Sequence, residues 1–151
     1  MKREKEVSYV ISVSLGTGCY RHIKISSNAT LDCFAQAVLD AFEFDNDHLY
    51  AFFLNNKRWD NGDAYYSDNA DSADRLATHY KLKQVGLTAG KKFLYLFDFG
   101  DDWTFNCKVL RILEEETKKP EVIRSKGEAP EQYYDEYEEE YDEEDFDDDD
   151  D

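Results

Sequence analysis

The sequence has few cysteines, no long apolar run and no excess of positive charge. Its 151 residues include three cysteines, and their odd number and wide spacing do not fit a disulfide framework. No Cys-x-x-Cys occurs, which argues against a zinc ribbon or a thioredoxin-type motif. No segment approaches the roughly 18 apolar residues that a membrane-spanning helix needs. We therefore expect reduced, buried thiols, no membrane association and a cytoplasmic location; the cysteines are Cys19, Cys33 and Cys107.

The charge is concentrated at one end of the chain. The 18 Lys and Arg and 35 Asp and Glu give 18 − 35 = −17. Residues 131–151 hold 15 of the acids and no base, so residues 1–130 hold 20 acids and 18 bases, a net charge of −2. This balance excludes a strongly basic nucleic-acid binder of the usual kind. It predicts one globular domain over residues 1–130 and a disordered acidic tail over residues 131–151.

The first half of the chain shows the clearest periodicities. Apolar residues alternate with polar ones over 7–15 and over 20–25, which predicts an antiparallel hairpin across the turn at Gly16–Gly18. From Leu31 to Phe42, apolar residues recur with helical spacing, and Thr30 precedes them as a suitable N-cap. We therefore expect one main amphipathic helix, packed on a sheet.

The second half predicts further strands. The apolar runs 49–54 and 93–97 are typical of strands covered on both faces, and 103–109 alternates as a returning strand. Residues 55–75 are polar and read as a long loop with a short strand near 64–66. The order predicts an α+β domain with a mixed or antiparallel sheet, and a β-grasp-like arrangement satisfies it.

The turn Asp98-Phe99-Gly100-Asp101-Asp102, followed by Trp103, is the best candidate site. A tight hairpin uses a glycine for a positive φ, but it does not require three carboxylates. Carboxylate oxygens are the ligands that a hard divalent cation such as Mg²⁺ prefers, so a divalent cation is the one cofactor considered. The alternative is an ordinary hairpin whose acids are solvated. Asp98-Phe99-Gly100 also spells the kinase metal-binding triplet, but no kinase catalytic loop or glycine-rich loop accompanies it.

A second cluster, Asp45-Asn46-Asp47-His48, lies between the helix and a buried strand. Its carboxylates and imidazole could bind a metal ion or exchange protons. The alternative is a loop in which Asp and Asn cap backbone groups and His48 begins the strand. No serine-hydrolase elbow and no phosphate-binding loop occurs in the sequence.

The acidic tail has two interpretations. It is either a solubilising segment without a partner, or a polyanion that binds a basic protein surface or folds back on basic residues of its own domain. Aromatic side chains between the acids would add contact area to such binding; they are Tyr133, Tyr134, Tyr137, Tyr141 and Phe146.

Two segments together resemble one known family. The first combines Tyr20-Arg21-His22-Ile23-Lys24-Ile25 with Thr30-Leu31 and His48-Leu49-Tyr50-Ala51-Phe52, and the second runs from Lys92 to Trp103. They look like the Ri-plasmid ORF-three-like proteins, named after the third open reading frame of plasmid pRiA4b. The resemblance spans roughly residues 7–133, and the block Asp98-Phe99-Gly100-Asp101-Asp102-Trp103 is its most specific part.

The resemblance implies a compact domain and a set of signature residues, but no established activity. The residues carried over by position are Arg21, His48, Asp98, Gly100, Asp101, Asp102 and Trp103. Tyr20 stands where the family usually has Trp, and Phe105 stands where a His commonly follows the Trp by two. The missing His weakens an enzymatic interpretation.

We therefore expect a non-catalytic protein-interaction module whose acidic tail binds a basic protein. The alternative is a metal-dependent enzyme or hydrolase that uses the Asp98–Asp102 carboxylates with His48 and Arg21. A second alternative is an accessory protein of plasmid or mobile-element nucleic-acid processes. Direct binding to nucleic acid is not expected, because the nearly neutral domain offers little phosphate neutralisation.

Overall fold

The computed structural model of the chain describes residues 6–67 and 75–132. Residues 133–151, and so nearly all of the predicted acidic tail, lie outside the described residues. No helix among the described residues is long and apolar enough to cross a membrane.

The first hairpin forms as its alternation predicts. Strand β1 (Ser8–Ser14) pairs antiparallel with β2 (Tyr20–Ser26), with Ile11 opposite Ile23. Inward positions on both strands are buried, and the intervening serines, His22 and Lys24 lie on the other face. The period of two in the sequence therefore separates the two faces of the sheet, and on the outer face of β1 Ser8 and Val10 are buried as well.

Helix α1 (Leu31–Phe42) follows the hairpin and begins at the predicted cap. The Thr30 hydroxyl accepts a hydrogen bond from the backbone N–H of Cys33 at 3.0 Å. Glu43 ends the helix with a left-handed φ of 63°. The apolar stripe of the sequence is the buried face, and it consists of Leu31, Phe34, Ala35, Val38, Leu39 and Phe42.

Five more strands complete the sheet. They are β3 (Tyr50–Phe53), β4 (Ala64–Tyr66), β5 (Lys92–Phe97), β6 (Trp103–Leu113) and β7 (Glu121–Lys126). The first four were predicted from the sequence, including the short strand β4 within the polar loop. Strand β7 was not, because all six of its residues are exposed and no burial pattern marks them.

The seven strands form one sheet in the order β4-β3-β5-β6-β1-β2-β7. All pairings between these strands are antiparallel, so the sheet is of the antiparallel rather than the mixed type. An antiparallel sheet with one helix is an α+β fold, as expected. The β-grasp-like arrangement is not confirmed.

The main core lies between helix α1 and one face of the sheet. Aromatic rings from the helix and the central strands meet there, with Phe34 near Phe52 and Phe93, and Phe42 near Phe105. A smaller cluster on β3, β4 and β5 packs on the opposite face; its members are Ala51, Phe53, Ala64, Leu94 and Leu96. Strand β5 is thus buried on both faces, and its end carries the acidic turn Asp98–Asp102.

Candidate functional site

The acidic turn is built around the carboxylate of Asp98. This side chain is buried, and its Oδ1 accepts the backbone N–H groups of Gly100 and Asp101 at 3.2 and 3.3 Å. Asp98 and Asp102 both adopt a left-handed φ of 65°, whereas Gly100 does not. The expectation that Gly100 supplies the positive φ is therefore wrong. Aspartate tolerates this conformation because its short side chain bonds to nearby backbone groups.

The structure brings His48 to the turn. Its Nε2 lies 3.4 Å from Asp98 Oδ2 and 3.6 Å from Asp47 Oδ1, and its ring meets Phe97 edge-on at 6.0 Å. The Asp98 N–H donates to the Leu49 carbonyl at 2.8 Å, which fixes the start of β3 beside the end of β5. Two residues fifty positions apart in sequence thus form one imidazole–carboxylate contact.

The rest of the Asp45–His48 cluster bonds to neighbouring segments. Gln132 binds the backbone of Asp45 through two hydrogen bonds. Its side-chain Oε1 accepts the Asp45 N–H at 2.7 Å, and its Nε2 donates to the Asp45 carbonyl at 3.1 Å. The Asn46 side chain donates to Gln36 on α1 at 2.8 Å. The cluster is thus held by hydrogen bonds to Gln132 and to helix α1, and His48 precedes strand β3, which begins at Tyr50.

Asp102 has a partner that the sequence did not suggest. Arg58, in the loop after β3, forms an ion pair with its carboxylate. Trp59 follows Arg58 and lies 5.0 Å from Phe99, with both rings substantially exposed. The sequence does hold a signal for this contact, because Trp59 is a bulky aromatic residue within the otherwise polar run Lys57-Arg58-Trp59-Asp60. The tip of the hairpin therefore presents an aromatic pair beside an ion pair.

Trp103 lies just after the turn and faces the core. Its ring packs edge-on against Phe44 at 4.9 Å. Its indole Nε1 is buried and has no hydrogen-bond partner among the described residues. The side chain thus anchors the start of β6, and its aromatic surface is used for packing.

Arg21 occupies a different environment from the turn. It is 8% exposed, and its guanidinium donates to three backbone carbonyls, of Tyr20, Ala41 and Lys126, at 2.9 to 3.2 Å. Its charge also lies 4.8 Å above the Phe42 ring. These contacts join the end of α1 to strands β2 and β7.

The turn's oxygens are largely committed to the protein. One oxygen of Asp98 holds two backbone N–H groups, its other oxygen lies 3.4 Å from His48 Nε2, and Asp102 is paired with Arg58, so the exposed Asp101 is the carboxylate most open to a cation. Over residues 6–67 and 75–132, no group of three or more His, Cys, Asp or Glu is arranged to hold a metal ion.

The same architecture occurs in a solved structure. The crystal structure of a protein of unknown function, MM3350 from Methanosarcina mazei Go1, superimposes with a TM-score of 0.71 and covers 95% of this chain and 85% of its own. The two sequences are 23% identical, so this likeness concerns the fold.

Sequence comparison gives the family. The uncharacterized protein y4hQ of Sinorhizobium fredii (strain NBRC 101917 / NGR234) is 27% identical over 111 residues, or 73% of this chain. The match covers 56% of that relative, so this chain spans little more than half of its length. The family profile for plasmid pRiA4b ORF-3-like protein matches residues 9–143, which include every signature residue named above. The chain therefore belongs to the plasmid pRiA4b ORF-3-like protein family.

Proposed function

We propose that this chain is a non-catalytic protein-interaction module whose acidic tail binds a basic surface on a partner protein in the cytoplasm. The observation that carries the proposal is the separation of charge. Fifteen acids and no Lys or Arg occupy residues 131–151, beside a domain of net charge −2. A segment of this charge attracts cationic surfaces over roughly a Debye length and speeds their encounter.

The hairpin tip supports the same proposal. Trp59 and Phe99 are 49% and 36% exposed and lie in mutual contact. Large aromatic side chains supply contact area at low conformational cost, and they are enriched in protein interfaces. The Arg58–Asp102 ion pair holds the two loops that carry them.

The test is affinity capture from the host lysate with three forms of the chain. These are the full chain, a chain that ends at Gln132, and a full-length chain whose tail acids are replaced by Asn and Gln. The cut follows Gln132 because this residue holds Asp45 through two hydrogen bonds. We expect a basic protein in the full-chain eluate that both altered forms fail to retain.

A second pair of variants separates the hairpin tip from the tail. Trp59→Ala removes part of the aromatic pair, and Val122→Ala is the matched control, since Val122 is equally exposed but lies on β7. We expect Trp59→Ala to weaken capture and Val122→Ala to leave it unchanged. Identical protein sets from the full chain and both tail variants would contradict the role of the tail.

A metal-dependent enzyme or hydrolase is the second candidate, and the contact between His48 and Asp98 supports it. A carboxylate beside an imidazole is an arrangement used in general acid–base catalysis. This function requires millimolar Mg²⁺ or Mn²⁺ to raise the melting temperature, and Asp101→Asn to abolish the rise. Ser67→Ala serves as a control outside the turn. An unchanged melting temperature with both metals would eliminate this candidate.

The third candidate is an accessory role in plasmid or mobile-element nucleic-acid processes, which the name of the family suggests. It does not require that this chain bind nucleic acid directly. A direct role would appear as a salt-sensitive complex with DNA or RNA at low ionic strength. Absence of such a complex would leave only an indirect role through a protein partner.

A further inference from the structure

The sheet has one face that helix α1 does not cover, and its cations form a regular pattern. Cross-strand pairing aligns Lys92, Lys108, Ser12, His22 and Arg124 in one row over β5, β6, β1, β2 and β7. Paired residues point to the same face of a sheet, and neighbouring strands lie about 4.8 Å apart. The row therefore extends for about 19 Å and holds three permanent cations, one imidazole and no acid.

The two adjacent rows add positive charge. Arg111, Val10 and Lys24 align on one side of the first row, and Glu121 ends that line on β7. On the other side of the first row, Tyr20 on β2 pairs with Lys126 on β7 and ends the neighbouring row. We call this surface of β5, β6, β1, β2 and β7 the basic face; its cations are Lys24, Lys92, Lys108, Arg111, Arg124 and Lys126.

Few of these charges are neutralised within the described part of the chain. Lys24 forms a salt bridge with Glu115, and no other cation of the basic face forms one there. At the centre of the face, His22 stacks on Tyr20 with ring centroids 4.9 Å apart. Partial burial and the charges of Arg124 and Arg111 lower the pKa of His22, as expected for a site of positive potential.

The basic face also has a concave part. A groove of about 370 Å³ lies at the β5 end of the rows, and its lining includes Ser12, Ser14, Asn56, Lys92, Asn106 and Lys108. Hydroxyl, amide and ammonium groups of this kind donate hydrogen bonds to carboxylates. The surface is therefore suited to an extended anionic chain.

We propose that the basic face is the docking surface for residues 133–151 of the same chain. These residues carry 15 − 1 = 14 acids, since Glu131 precedes them, and no Lys or Arg. They follow directly on Gln132, which is fixed to Asp45, and 19 extended residues reach about 60 Å. Because the tail is attached to the same chain, its effective concentration at the basic face is on the order of millimolar. A free anion would have to exceed this concentration to compete with the tail.

This inference rests on the polyanionic tail of the proposed function and adds regulation to it. In the absence of a partner the basic face holds the tail, and a basic partner protein competes with that face for the same carboxylates. The tail is thereby shielded from weakly cationic proteins. Only a partner that offsets the loss of the internal contacts displaces it.

The test is zero-length carbodiimide cross-linking of the full chain at low ionic strength, with the linked lysines identified by mass spectrometry. Lys81 is the control, since it is exposed but pairs with Thr30 at the start of α1 and so lies away from the basic face. We expect links from tail carboxylates to Lys92 and Lys108 in about tenfold excess over Lys81. The excess disappears near 1 M salt, where the Debye length falls to about 3 Å.

A charge-reversal experiment gives an independent readout. The full chain with Lys92→Glu and Lys108→Glu is compared with the full chain and with Lys81→Glu. At low salt we expect the double variant to have a larger hydrodynamic radius than the other two, because its tail is released. All three substitutions are at exposed positions, so the fold is retained.

Three results would overturn the proposal. The first is equal linking of tail carboxylates to Lys81 and to the groove lysines, Lys92 and Lys108. The second is linking that joins only two different copies of the chain. The third is binding of a single-stranded oligonucleotide to the groove lysines of the full chain while the cross-links to the tail persist. Each leaves capture of a basic partner open to its own test, so the two proposals fail separately.

Discussion

At the scale of single residues, Arg21 shows how a charged side chain enters the core of this domain. Its alternating position on β2 places it inward, where its three donated hydrogen bonds end on backbone carbonyls. A buried guanidinium is stable only when its donors are satisfied. The contact with the Phe42 ring adds a cation–π interaction. These contacts give Arg21 a structural role where helix α1 meets strands β2 and β7.

Arg21→Lys keeps the charge but loses the planar fork of donors. We expect the free energy of unfolding to fall by about 1 to 3 kcal/mol, because lysine cannot reach the carbonyls of Ala41 and Lys126 together. Urea denaturation measures the change. Arg124→Lys, at an exposed position on β7, is the control and should stay within about 0.5 kcal/mol of the unaltered chain.

Two glycines differ sharply in what they tolerate. A Cβ at Gly100 would lie 3.5 Å from Asp98 Oδ1, an ordinary contact, while one at Gly127 would lie 2.3 Å from the Gly18 carbonyl oxygen. Gly127 also has a φ of 82°. We therefore expect Gly100→Ala to leave the melting temperature nearly unchanged and Gly127→Ala to lower it by several degrees. A large loss at Gly100 would show that this glycine has a role outside the turn geometry.

At the scale of elements, helix α1 combines a local signal with tertiary burial. The Thr30 cap satisfies one N–H of the first turn, and the apolar stripe fixes the face that meets the sheet. Such local features are readable in sequence because they repeat with the period of the element itself. The hairpin of β1 and β2 is readable for the same reason.

Thr30→Ala tests the cap. The substitution removes the acceptor for the Cys33 N–H, so we expect the unfolding free energy to fall by about 1 kcal/mol. Thr30→Ser keeps the hydroxyl and should retain most of the stability. Thermal unfolding followed by circular dichroism distinguishes the two, and equal losses would place the role of Thr30 in its methyl group.

At the scale of the whole molecule, the core depends on tyrosines that must remain neutral. Burial, with the hydrogen bond to Asp32, raises the pKa of Tyr50, and burial raises the pKa of Tyr95 well above its usual value. Above about pH 10 the unfolded chain loses these protons while the native chain retains them. The contribution of these two tyrosines to the free energy of unfolding is therefore fully present below about pH 10 and declines as the pH rises beyond it.

Tyr95→Phe and Tyr50→Phe should separate at neutral pH. The Tyr95 hydroxyl is buried without a hydrogen-bond partner among the described residues, so its removal should be neutral or stabilising. The Tyr50 hydroxyl donates to Asp32, and its removal should cost about 1 kcal/mol. Urea denaturation at pH 7 and pH 11 measures both, and each variant should lose less stability at pH 11 than the unaltered chain does.

The sequence by itself determined the elements that carry a local pattern, which is an alternation, a helical apolar stripe or a continuous apolar run. It determined β1 to β6, α1 with its cap, the antiparallel hairpin and the family, because these depend on neighbouring residues or on contiguous motifs. It also singled out the acidic turn, although it assigned the positive φ to Gly100 instead of to Asp98 and Asp102.

Only the tertiary structure decided which distant residues meet. All six residues of strand β7 are exposed, and the strand is placed by its pairing with β2. His48 reaches Asp98 because β3 lies beside β5, and Arg58 reaches Asp102 because a loop folds over the end of the sheet. The basic face arises from the order β5-β6-β1-β2-β7, which aligns charges that are scattered along the chain. Strand order and register are long-range properties, and no local periodicity encodes them.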